Sequence, residues 1–277
     1  MTVGISAICR KDGEPRAIVA ADRMVTVGNS GGIEYEDSDS KLTHIVDNEN
    51  VSAVAVGAGV STYIDGIFKE TEGFLAAEGN VPPSTVKDVR DYALAAYKSK
   101  VQESIQNQIL SPYSYTLDEL KNPDVSVPET VQKELIAEIQ DVQESVNNRV
   151  HILLAGVDSQ TAEVFQIVGN DYTNFSDIGY SVIGSGRDSA RLTFIRREYD
   201  RTCSHDEGVF TVLEAKDQAE ERQGVGRRTD MVMVEPGNII EFDPSQLGQL
   251  EDDLETIGDR EKQVRENVIN DWSMSSE

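Results

Sequence analysis

The chain has 277 residues, with 25 Lys+Arg against 50 Asp+Glu, a formal net charge of −25, 38% hydrophobic residues and 6% aromatics. That length suits one large domain or two small ones, with room for a sizeable core. The charge argues against nucleic-acid binding, which needs Lys and Arg on phosphates, and no run of 18 apolar residues offers a membrane span.

The N-terminus, Met1-Thr2-Val3-Gly4-Ile5, lacks a basic segment followed by an apolar one, which predicts no signal peptide and a cytoplasmic location. Cys9 and Cys203 are too few for a disulfide scaffold and read as buried thiols. The acidity is dispersed rather than gathered in one tail. Such a pattern resembles proteins of salt-loving archaea, where a Debye length of roughly 3 Å at molar salt screens the self-repulsion. An ordinary acidic cytosolic protein is the alternative.

In chain order, Val3–Cys9 and Ala17–Ala21 read as the strands of a hairpin around the turn cluster 11–15. The Gly-rich stretch 28–40 reads as a loop, and Leu42–Val46 and Val51–Val56 as two more strands. A helix is predicted from about Ser61, with Ile64, Ile67 and Phe68 on one side, and a second after Ser84 as N-cap, through Val86, Val89, Ala93, Tyr97, Val101 and Ile105. Prolines break 110–128. Val131, Leu135, Ile139, Val142 and Val146 then recur at helical spacing. Strands are predicted at 151–155, 162–168 and 180–183, a helix through Leu192, Ile195 and Tyr199, and another opened by a Ser204/Glu207 capping box. Met231–Val234 reads as the last core strand. Leu247, Leu250, Leu254, Ile257, Val264 and Val268 mark a helix in an acidic extension that frays at Ser275-Ser276-Glu277. This order predicts an α+β protein, a four-layer αββα sandwich over residues 1–237, with a helical insertion at 106–148 and a C-terminal extension at 238–277.

His44, His151 and His205 have no ligand-like spacing to one another or to cysteine, so neither metal nor cofactor is expected, and a Ser-His-Asp mechanism has little support. Gly184-Ser185-Gly186-Arg187-Asp188-Ser189 lacks the third glycine and the βαβ unit of a dinucleotide fingerprint. Thr2 is different. It is small and follows Met1, so methionine aminopeptidase can expose it. The freed α-amine, with a pKa of about 7.7–8.0, can then serve as base for the adjacent hydroxyl. On position alone, an ordinary strand threonine is the simpler reading.

Several segments change that balance. Thr2-Val-Gly-Ile-Ser, Ile18-Val-Ala-Ala-Asp22-Arg-Met-Val-Thr26, Ser40-Lys-Leu-Thr-His-Ile45, Val56-Gly-Ala-Gly59, His151-Ile-Leu-Leu-Ala-Gly-Val-Asp158 and Tyr180-Ser-Val-Ile-Gly-Ser-Gly186 occur in consistent order over residues 2–105 and 149–235. Together they resemble the proteasome β-subunit superfamily of N-terminal-nucleophile hydrolases, which includes the peptidase subunit of the bacterial two-component protease and the ancestral bacterial proteasome-like proteins. With the composition, the resemblance suggests a proteasome-like peptidase from a haloarchaeon.

The resemblance implies Thr2 as nucleophile, Asp22 and Lys41 as the paired acid and lysine beside it, Gly59 as the oxyanion-hole amide, and Ser185 as the partner of the terminal amine. Gly57, Ser61 and Asp65 would line the substrate site. Gly57 would leave a pocket floor open and Asp65 would face it, which suggests cleavage of peptide or protein substrates after Arg or Lys. The implied partners are further copies of the chain, a ring being one arrangement, and an ATPase. Two features depart from the pattern. The Thr2–Asp22 hairpin is about four residues too long, harmless only if the excess is shared evenly between its strands. And Arg222 and Val225 stand where active β-subunits carry an Asp and a Ser, which leaves a catalytically silent assembly or binding protein as the rival reading.

Overall fold

The computed structural model describes residues 2–27, 33–36, 39–77, 79–122 and 127–274. Met1, parts of the 28–40 loop, Pro123 and the 275–277 end therefore lie outside the described residues.

β1 (Val3–Lys11) and β2 (Glu14–Asp22) pair antiparallel in unbroken register, Lys11 facing Glu14 and Gly4 facing Ala21. The turn is Asp12-Gly13, at φ 54° and 86°, the pair of positive values that a type I′ hairpin needs. No bulge interrupts the pairing of the two strands. A short hairpin of β3 (Met24–Val27) and β4 (Ile33–Glu36) follows. The second large sheet runs β5 (Leu42–Asp47), β6 (Val51–Gly59), β7 (Val150–Asp158), β8 (Ala162–Val168) and β9 (Asp171–Asn174) in that spatial order. In the first sheet, β10 (Tyr180–Gly184) flanks β1, while β11 (Thr229–Glu235) and then β12 (Asn238–Glu241) continue from β2.

Between β6 and β7 the chain forms α1 (Ser61–Ala76), α2 (Val86–Ile105), a π-helical turn at Gln106–Leu110, a 3₁₀ turn at Ser111–Tyr113, α3 (Leu117–Lys121) and α4 (Glu129–Arg149). Between β10 and β11 come α5 (Arg187–Arg196) and α6 (His205–Glu220), and the described chain ends in α7 (Pro244–Met274). None of the described helices is long and apolar enough to cross a membrane.

Three apolar clusters hold this mixed α/β fold together. One joins Ile64, Ile67, Val89 and Tyr97 of α1 and α2 to Ala53, Ile152 and Phe165 of the second sheet. Another joins Val3, Ile5 and Ile18 of the first sheet to Phe194 and Val212 of α5 and α6 and to Leu247 of α7. The third joins the two sheets, with Ile8, Val19 and Ala21 against Val54, Leu153 and Val164. Both faces of β1 and β2 are thus buried, which is why they read as continuous apolar runs rather than alternating ones.

Several elements differ from expectation. The 28–40 stretch is not wholly a loop, because β4 lies within it. α2 is capped by Thr85, not Ser84: Asp88 is three residues beyond Thr85, the spacing that closes a capping box. α5 stops at Arg196, short of Tyr199, because Glu198 turns left-handed at φ 50°. Tyr199 instead stacks edge-on against Tyr180 and Phe194. Met231–Val234 lies in the last core strand, as expected, although a largely exposed β12 follows it.

Candidate active site

The first sheet places Thr2 immediately before β1 and Asp22 at the end of β2, and Lys41 precedes β5 at the edge of the second sheet. Among the described residues the Lys41 ammonium reaches at least three oxygens. It donates to Thr2 Oγ1, to Asp22 Oδ1 at 3.0 Å, and to the Met24 carbonyl. Asp22 is fully buried, yet both its oxygens are satisfied. Oδ1 also accepts the Val3 N–H at 2.9 Å, and Oδ2 accepts the Met24 N–H at 3.0 Å and the Gly226 N–H at 2.9 Å. These donors fix the position of the carboxylate, which in turn holds the lysine in place.

Ser185 approaches Thr2 from β10. Its hydroxyl accepts the Thr2 N–H at 3.3 Å and donates to the Thr2 carbonyl at 3.2 Å, and its own N–H donates to that carbonyl at 2.8 Å. Gly184 makes this approach feasible: at φ 92°, a Cβ there would stand 2.1 Å from Thr2 O. Thr2, Asp22, Lys41 and Ser185 are thereby brought together.

The remaining expected residues lie around the end of β6. A Cβ on Gly4 would sit 2.7 Å from Val56 Cγ1, which puts this end of β6 beside the start of β1. Gly59 closes β6 at φ 125°. Ser61 opens α1 and is exposed, as is Asp65. The open floor expected at Gly57 is filled, because a Cβ there would lie 2.2 Å from Ile64 Cγ2. Buried Ile64, not Asp65, covers that spot.

Sequence reasoning missed three backbone contributors, Val3, Met24 and Gly226. Arg222 donates to Ser189 Oγ at 3.1 Å, and Val225 is buried in the apolar cluster of the first sheet. The histidines are dispersed: His44 faces Glu241 at 3.5 Å, His205 faces Asp206 at 3.0 Å, and His151 contacts Gln166. Among the described residues no group of three or more His, Cys, Asp or Glu could hold a metal ion.

This fold has counterparts among solved structures. The chain is similar to Anbu from Hyphomicrobium sp. strain MC1, with a TM-score of 0.61 and 14% identity, covering 95% of this chain and 97% of that one. A Gly-1 mutant of the same protein gives a TM-score of 0.59 and 14% identity over 96% and 97% of the two chains. Anbu from Yersinia bercovieri, described as the ancestral β-subunit, gives 0.63 and 11% identity over 95% of each. No protein-family model matches the chain, and no curated protein does. These findings correct the expectation of a proteasome β-subunit superfamily peptidase from a haloarchaeon. The likeness runs to Anbu, a proteasome-like protein, at identities that carry the fold alone.

Proposed function

We propose that the chain is an amide hydrolase that uses Thr2 as its N-terminal nucleophile once Met1 has been removed. The observation that carries this reading is the Lys41 ammonium, shared between Thr2 Oγ1 and the buried Asp22 carboxylate. A cation donating to the threonine oxygen favours its developing negative charge. The hydroxyl proton passes to the free α-amine, oriented by Ser185, as Oγ1 attacks the amide carbon. That proton goes to the departing amine as the C–N bond breaks, leaving an ester on Thr2. Water, deprotonated by the same α-amine, then hydrolyses the ester and regenerates the hydroxyl. Gly59, at the end of β6 beside the start of β1, would donate its N–H to the oxyanion. The same reading takes the three apolar clusters as the three interfaces of a four-layer αββα sandwich.

One observation favours a second reading, a silent binding protein. Neither Arg222 nor Val225 offers the hydroxyl and carboxylate expected beside the terminal amine. Turnover of fluorogenic peptide amides by the Met1-free chain, compared with Thr2→Ala, decides between the two. Release that disappears in Thr2→Ala supports hydrolysis, whereas equal release from both, or none from either, supports the silent reading.

A further inference from the structure

Lys216 lies in α6 and is fully buried, an unusual place for a lysine. Its three protons all have acceptors: Glu220 one turn later, the Gly226 carbonyl at 2.8 Å and the Arg227 carbonyl at 2.8 Å. The same two peptide units are held from their other side. Glu36 Oε1 accepts the Arg227 N–H at 2.6 Å and the Arg228 N–H at 3.0 Å. A cation thus takes the carbonyl ends and an anion the amide ends of consecutive peptides, which fixes their orientation as an ion pair with two dipoles between its charges would. The residue clamped at the start of this segment is Gly226, whose N–H reaches Asp22 Oδ2 at 2.9 Å.

We propose that Lys216 is a positioning residue for the Thr2 site. It holds the 226–228 segment so that Gly226 saturates one oxygen of Asp22 and leaves the other to Lys41 and Val3. This inference rests on the reading of Thr2 as a nucleophile. It also gives a use to the 221–230 loop, which lacks the expected acid and hydroxyl: the loop supplies a backbone donor instead.

The test follows covalent labelling of the full-length, Met1-free chain by a β-lactone, read by intact mass, together with hydrogen exchange across 221–228. Lys216→Met is expected to label about tenfold more slowly, to change the pH dependence of the rate, and to exchange faster across 221–228. Glu36→Gln, at a partly exposed position, is expected to move all three in the same direction. It supplies the test should Lys216→Met not fold. Ile105→Ala, which weakens the cluster on the other sheet, is expected to lower the melting temperature while keeping the wild-type rate and profile. Wild-type rates and profiles in both Lys216→Met and Glu36→Gln would overturn the inference and leave the nucleophile reading intact. A wild-type chain that takes no label overturns both.

Discussion

Lys41 Nζ stands 3.0 Å from Asp22 Oδ1, and the carboxylate it pairs with is wholly buried while the lysine is not. The asymmetry matters because Asp22 has three backbone donors besides this one, whereas Thr2 Oγ1 depends on Lys41 for its cation.

Replacing Lys41 by Met should therefore affect both chemistry and folding. Labelling or turnover at Thr2 is expected to fall about a hundredfold or more. Urea unfolding should show a loss of about 3 kcal/mol from leaving Asp22 without its cation. Wild-type turnover in this variant would remove Lys41 from the mechanism.

Gly59→Ala should damage the fold as well as the site. At φ 125° the residue has a backbone that side chains avoid, and its Cβ would stand 1.6 Å from the Arg149 carbonyl. The end of β6 and the junction of α4 with β7 must separate to admit it, at an expected cost of about 2–3 kcal/mol. Calorimetry should show a melting temperature several degrees lower, whatever the activity.

Acid should loosen the 226–228 segment through Glu36. Its carboxyl is held below the ordinary value of 4.5, first by the Arg228 N–H. The unfolded chain therefore takes up the proton before the folded one does. The contribution of Glu36 is whole above 4.5 and is lost as pH falls through its lowered folded value. The stability difference between wild type and Glu36→Gln, measured from pH 7 to pH 3, should shrink, and a constant difference would show that the carboxylate contributes nothing.

The two thiols should differ in reactivity. Burial pushes Cys9 up to about 12, whereas Cys203 is partly exposed. Iodoacetamide at pH 8 is expected to modify Cys203 in the native protein and Cys9 only after unfolding. Equal native rates would contradict the buried placement of β1.

Much of this fold is legible because both faces of its central strands are covered. β1, β2, β6 and β7 appear as unbroken apolar runs, and α4 appears through Val131, Leu135 and Val146 at helical spacing. β9 was not legible, since all four of its residues are exposed and none marks a buried face. β4, Ile33-Glu34-Tyr35-Glu36, does alternate, but four residues directly after a Gly-rich stretch read as part of the loop. At the site, Thr2, Asp22, Lys41 and Ser185 were found by resemblance rather than by spacing, because contacts that join residue 2 to 185 leave no local trace. Lys216 gave no signal at all. A lysine in a helix reads as solvated, and only the return of the 226–228 segment over α6 buries it.

The most direct measurement is peptide mapping of the Met1-free chain after reaction with a β-lactone. An ester on the Thr2 hydroxyl, absent in Lys41→Met, is the predicted result. An unmodified Thr2 in a folded chain whose N-terminal amine is free would contradict the account.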